Sequence, residues 1–441
     1  MESHRVSVET FISQRRRDSC PWSWSTLRIE KGDRRSDVRS AEIFLGRQVD
    51  VTVDPQTGEI KVGSLDDGAP AYIQYSGQPQ RLVFKGGTGT GKSTSLLYVV
   101  EQYINKIGAK AIILIDPKDE WTDYRPNLYF QMLPKEVPCT IEGVSLRPSF
   151  VIKQSFKEIR GAKNFIFGFL DFTPEELMTM AGTEPKMGAG TYRALSKAKD
   201  IYLERYGYDK PSLKKFMEII DIELPNLENR PIAQTSCRAA LGQVEFLYRE
   251  QAIGDKTTID VIGMAVKGKV PSIMYSMTIP RVFRMASCYS SMVLRQIHEW
   301  CSKALNEDDP YYGTHLLVVI DEAKQIAPRQ GNPPSKKALI DTFQVARGIK
   351  VSCVLACLNL YDMDFDVLSQ ASKIIVLGNL GKDDKILRTL NFDPSDIELI
   401  SRVCKYDSVT GERVGVILDP QNPKDMTFFT PTMPPVLFGH K

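Results

Sequence analysis

From residue 43 the chain is written in short apolar segments separated by turn residues. Ile43–Leu45, Val49–Val53, Ile60–Val62 and Ala71–Tyr75 are punctuated by Asp54-Pro55, Gly58 and Asp66-Asp67-Gly68, which predicts small antiparallel strands. Arg81–Lys85 reads as a strand feeding a glycine-rich loop. Lys92–Lys106 reads as a helix stopped by Gly108, and Lys110–Asp116 as a wholly apolar strand ending on an acid. Strand, helix and strand in this form predict a parallel sheet buried on both faces.

Between about 122 and 256 the pattern turns helical. Thr173-Pro174-Glu175-Glu176 supplies a cap, a proline at the first helical position and a glutamate three residues after the cap. Helical faces continue over Tyr192–Arg205, Ser212–Ile222 and Ile232–Glu250. Alternation then resumes with strand Ile259–Gly263, helix Val282–Leu305, strand His315–Asp321, helix Lys336–Ala346, strand Lys350–Cys357, helix Phe365–Ala371 and strand Lys373–Gly378. Helices near Asp383–Leu390 and Pro394–Val403 and strands around Val414–Leu418 and Met426–Phe429 follow. The expected division is a basic arm or accessory element over 1–42, a small β-rich element over 43–80, a core over 81–121 and 257–430, a mostly helical insertion over 122–256, and a proline-rich tail over 431–441.

Composition narrows the class. The 441 residues carry 57 Lys+Arg against 54 Asp+Glu, a net +3, and 42% are hydrophobic, enough for a large core. A disordered chain and a disulfide miniprotein are excluded. No apolar run approaches the roughly 18–20 residues that span a bilayer, and the arginine-rich start has no apolar signal core, so the expectation is a cytoplasmic protein with no membrane span. Eight cysteines without a C-x-x-C pair read as reduced core residues. Arg15-Arg16-Arg17 and Arg34-Arg35 make the first forty residues a basic arm, either solvated or touching nucleic acid.

Chemistry enters at Gly86-Gly87-Thr88-Gly89-Thr90-Gly91-Lys92-Ser93, followed by Thr94, which satisfies G-x-x-x-x-G-K-[ST] between a strand and a helix. Glycines let successive N–H groups turn inward around phosphate oxygens, and the helix presents its positive end. Lys92 reaches the β and γ phosphates, and Ser93 offers a hydroxyl to Mg²⁺. In His315–Glu322, buried apolar residues carry Asp321 to a strand end, where it can hold the water shell of that magnesium. Glu322 is then placed to orient or deprotonate the attacking water. With Lys110–Asp116 intervening in sequence, this order suits ATPases with an inserted strand and a glutamate base. No guanine-specifying N-K-x-D segment occurs, so ATP is the expected nucleotide.

Ile115-Asp116-Pro117-Lys118-Asp119-Glu120-Trp121, Ile320-Asp321-Glu322-Ala323-Lys324-Gln325-Ile326-Ala327-Pro328 and Arg347-Gly348-Ile349-Lys350 resemble successive signatures of the HerA and FtsK superfamily of DNA-pumping ATPases. The resemblance covers roughly 43–120 and 257–430. It implies an α/β fold with a RecA-like P-loop core of the inserted-strand, glutamate-base type, and a mainly parallel central sheet. It also implies ATP and Mg²⁺ as cofactors, a homo-hexameric ring, double-stranded DNA as partner, and room for a partner nuclease or other effector protein. By position, Arg347 would reach the nucleotide of the neighbouring subunit, and Asp116 and Glu120 would sit beside the site. The family's polar sensor is replaced by Ala356-Cys357-Leu358-Asn359-Leu360, leaving Asn359 to take that role or a plain turn in its place.

A duplex offers a uniform line of phosphates, so a translocase needs cationic loops facing its pore. Lys267-Gly268-Lys269-Val270-Pro271 and Arg329–Lys337, with Lys336 beside Lys337, are the candidates; solvated surface loops are the alternative. Three readings follow: a ring motor on duplex DNA, a secretion or packaging ATPase of the same superfamily, and an ATP-dependent assembly switch with slow hydrolysis.

Overall fold

Three strands too apolar to face water set the centre of the sheet: every residue of Arg81–Gly86, Leu316–Asp321 and Val351–Cys357 is buried. The computed structural model describes residues 40–64, 68–87, 89–115, 124–126, 151–155, 163–164, 166–183, 188–258, 260–267, 270–273, 280–304, 312–345, 350–404, 413–431 and 436–438. Two compact units emerge, one drawn from 35–164 and 260–441, the other from 165–259.

In the larger unit twelve strands share one sheet: β1 (Ala41–Gln48), β2 (Pro70–Tyr75), β3 (Arg81–Gly86), β4 (Lys110–Ile115), β5 (Val151–Ser155), β6 (Lys163–Asn164), β7 (Val270–Ile273), β8 (Leu316–Asp321), β9 (Val351–Cys357), β10 (Lys373–Leu377), β11 (Gly415–Leu418) and β12 (Met426–Pro431). Their spatial order is β2-β1-β12-β11-β10-β3-β9-β8-β4-β7-β5-β6. From β10 to β6 all pairings are parallel, and β11, β12, β1 and β2 extend the sheet antiparallel. The α/β fold is therefore a mixed sheet with a parallel centre. The strand standing between β3 and β8 is β9, while β4 lies on the far side of β8. Among the helices of this unit are α1 (Lys92–Gln102), α2 (Pro280–Ala304) and α3 (Pro334–Val345). Gln102, at the end of α1, donates to the Phe44 carbonyl at 2.7 Å and accepts from the Phe44 N–H at 2.8 Å, fixing the helix to β1.

Some elements differ from the sequence expectation. Ile259–Gly263 reads as a strand, but Val261–Val266 is a helix whose cap, Asp260, accepts the Gly263 N–H at 2.7 Å. Six apolar residues fit either element, and the capping carboxylate favours the helix. The strand comes later, as β7. Strands β5 and β6 fall in the stretch read as mostly helical and pair into the sheet edge. Lys336 and Lys337 lie in the first turn of α3 rather than in a loop.

The smaller unit holds helices Pro174–Ala181, Ala189–Tyr206, Leu213–Glu218 and Gln234–Arg249. Its first helix has the reciprocal cap the sequence predicts, Thr173 and Glu176 each accepting the other's backbone N–H. Phe169 packs against Phe216 and Tyr202 with centroids at 4.8 and 5.4 Å. All six described cysteines are reduced and buried.

At the amino end of β8, His315 is buried between Tyr75 Oη and Ser352 Oγ, each 2.9 Å from a ring nitrogen. Burial, then the nearby Lys350 charge, pushes its pKa down to about 4. Between pH 6.5 and about 4 the unfolded chain binds a proton there that the folded chain refuses, so stability falls as pH falls through that window, by about 3 kcal/mol at most. A His315→Gln variant is expected to unfold with a flatter pH dependence over that window in denaturant titrations; an unchanged slope would contradict the assignment.

Candidate nucleotide site

The carboxyl ends of adjacent strands line up in register, with Asp321 opposite Ala356, Cys357 opposite Lys85 and Gly86 opposite Leu377. Such an edge is where parallel α/β sheets place their ligands. The loop leaving β3 is closed by Thr90, whose hydroxyl donates to the Gly87 carbonyl at 2.8 Å. Gly89 (φ 82°) and Gly91 (φ 81°) adopt left-handed backbone that side chains disfavour, and Gly91 caps α1. Thr88 lies outside the described residues.

Lys92 and Asp321, 229 residues apart in sequence, meet at 3.1 Å with side chains 8% and 4% exposed. Burial works against the Lys92 ammonium, but Asp321 and then Glu322 outweigh it, and its pKa lies above the ordinary lysine value. Lys92 is therefore charged at neutral pH. Asp321 can be buried because this cation faces it; an isolated carboxylate there would be strongly disfavoured. Glu322 has φ 77° and ψ 52°, left-handed backbone in a non-glycine residue. Such strain costs about 1–3 kcal/mol and gathers at functional sites. The bend turns the chain at the end of β8 and leaves Glu322 half-buried beside the Lys92–Asp321 pair.

The donor set also fits magnesium. P-loop magnesium takes few protein ligands, because phosphates and water supply the rest. Ser93, in the first turn of α1, and Asp321, at the tip of β8, would hold the ion, which screens phosphate charge when bound.

The remaining predicted residues are placed differently. Asn359 donates to Asp362 Oδ2 at 2.9 Å, a local turn contact that occupies its amide. The Arg329 guanidinium stacks over Tyr361, 4.0 Å from its centroid, and Lys336 pairs with Asp364 at 2.6 Å. Both cations thus join the segment after β8 to the segment after β9, where Pro328 also bridges Met363. Lys337 and Lys267 are exposed. Asp116, Glu120, Lys269 and Arg347 lie outside the described residues.

Sequence reading missed the ion pair behind the loop. Lys85 faces Asp383 at 3.5 Å and donates to the Asn379 carbonyl, and Asp383 accepts the Tyr361 N–H at 2.9 Å. Burial raises the Asp383 pKa, although the Tyr361 N–H and Lys85 oppose it. The pair links the base of the phosphate loop to the turn after β9. Spacing carries no sign of it, since a single aspartate some 300 residues from a lysine forms no motif.

This fold and site define a P-loop ATPase. Residues 60–273 match the family described as the central domain of the helicase HerA. VirB4 of Thermoanaerobacter pseudethanolicus superposes with a TM-score of 0.56 at 13% identity, over 89% of this chain and 96% of that one. The bacterial conjugative coupling protein TrwBdeltaN70 reaches 0.49 at 14% identity, over 82% and 88%. The genome packaging NTPase B204 from Sulfolobus turreted icosahedral virus 2, in complex with ATP-gammaS, reaches 0.31 at 11%, over 80% and 98%. At these identities VirB4 supports the fold alone, and the other two scores carry no weight. No curated protein sequence matches. Among the described residues no helix is long and apolar enough to cross a membrane.

Proposed function

We propose that this chain is a ring-forming motor that hydrolyses ATP with Mg²⁺ to drive double-stranded DNA through its pore. The observation that carries the reading is the meeting of Lys92 and Asp321 at 3.1 Å beside a strained Glu322. Lys92 and the loop amides hold the phosphates. Asp321 and Ser93 hold the metal, and Glu322 takes a proton from the attacking water. Arg347 acts on the nucleotide of the adjoining subunit, which makes turnover depend on assembly. Of the predicted pore cations, Lys267, Arg329 and Lys337 stand exposed for phosphate contacts, while Lys336 is half-buried against Asp364.

DNA dependence tests this reading. Duplex DNA is expected to stimulate ATP turnover, with a stimulation that falls steeply between 50 and 200 mM salt, as roughly 10³-fold affinity losses do for proteins with several phosphate contacts. A second reading, an assembly switch with slow hydrolysis, draws on the apolar Leu358 and on the engagement of Asn359 with Asp362. Turnover indifferent to DNA, with assembly following nucleotide, would select the switch.

A further inference from the structure

The phosphate loop has a cationic neighbour that no motif announces. Gly415, the first residue of β11, pairs with Leu377, and Leu377 pairs with Gly86 where the loop begins. Because β11 runs antiparallel, its start lies at the carboxyl edge of β3 and β10. Arg413, two residues earlier, is thus delivered to the loop by register. Its guanidinium lies against the α-carbon of Gly91: a methyl built there would overlap Nη1 and come 3.0 Å from Cζ. Gly91 therefore answers two demands, a left-handed φ of 81° and room for a guanidinium.

The local charges give this contact a purpose. At the end of β3 and the start of α1, Lys85 and Lys92 face three carboxylates, Asp321, Glu322 and Asp383. Each lysine faces a carboxylate, so among these described groups the negative charges outnumber the positive, three to two, and a further cation at the loop favours a polyanion. Arg413 supplies it, with a planar fork suited to phosphate oxygens. Position also selects the phosphates. Asp321 and Glu322 mark the terminal end, whereas Gly91 caps the helix whose amides face the inner phosphates.

We propose that Arg413 binds the diphosphate portion of the nucleotide held in its own subunit, the part that ADP and ATP share. This rests on the ATP reading of the site. Calorimetry of the full chain with Mg-ADP, and with a non-hydrolysable ATP analogue plus Mg²⁺, tests it. Arg413→Gln is expected to weaken both ligands by about tenfold or more, with Arg413→Lys in between. Wild-type affinity in both variants would overturn the proposal. So would a loss confined to the ATP analogue, which would move Arg413 to the terminal phosphate. A fall in the nucleotide-free midpoint of both variants without weaker binding would make Arg413 a packing residue and equally overturn it. If the wild-type chain binds neither ligand, and Lys92→Ala changes nothing, the ATP reading itself fails.

Discussion

Lys92→Ala is expected to abolish ATP turnover and to destabilise the nucleotide-free protein as well. The ammonium does two things. In the proposed mechanism it contacts phosphate oxygens when nucleotide is bound, where removal of a preorganised cation costs about 10²-fold or more in rate. It also neutralises Asp321, which is 3% exposed at the end of β8. Removing one partner of a buried ion pair strands the other, at a cost of about 3 kcal/mol or more. Thermal melts without nucleotide should therefore show a lower midpoint for Lys92→Ala, and Lys92→Ala with Asp321→Asn should recover much of it because no charge is then stranded. Undiminished turnover in Lys92→Ala would remove the site from the account. An unchanged midpoint would contradict the buried pair.

The second large effect is at Glu322, where backbone and side chain make opposite predictions. Glu322→Gln keeps the shape but accepts no proton, so turnover should fall by about 10²–10⁴-fold while ATP stays bound. Glu322→Gly should be equally inactive, yet more stable by about 1 kcal/mol, because glycine adopts φ 77° without the penalty a glutamate bears there. A residue kept at a strained position despite a more stable alternative is one whose side chain is needed. Rapid turnover in Glu322→Gln would assign the base elsewhere. A less stable Glu322→Gly would mean that the side chain holds the fold.

Much of this was legible in the sequence because it is local. The glycine loop between a strand and a helix, the apolar run ending on Asp321-Glu322, and the Thr173–Glu176 cap each follow from spacings of a few residues. What was not legible depends on pairing across the sheet. Strand order made β9, rather than β4, the neighbour between the phosphate loop strand and β8. Antiparallel register brought Arg413 to Gly91, and a turn placed Asp383 against Lys85. The helix at Val261–Val266 was missed for a different reason: six apolar residues carry no period long enough to distinguish helix from strand, and the Asp260 cap decides. Lys336 read as a loop cation because a sequence shows charge but not the Asp364 carboxylate that holds it in the first turn of α3, whereas Arg329 does lie in an exposed bend, over the Tyr361 ring.

Polar contacts also connect the phosphate loop to the segments after β8 and β9. The segment after β8 is tied to the segment after β9 through Arg329–Tyr361, Lys336–Asp364 and the Pro328–Met363 bridge. The Tyr361 N–H meets Asp383, and Asp383 meets Lys85 at the foot of the phosphate loop. The phosphate loop and the segments after β8 and β9 are thus joined by a chain of polar contacts that runs from the buried Lys85–Asp383 pair out to the exposed Arg329.

The most direct measurement is a quench experiment that follows labelled Mg-ATP on the purified protein, comparing wild type with Glu322→Gln. The account predicts that wild type releases labelled phosphate on successive turnovers, and that the variant retains intact ATP in proportion to its sites. Equal hydrolysis by the two proteins, or no nucleotide retained by either, would contradict it.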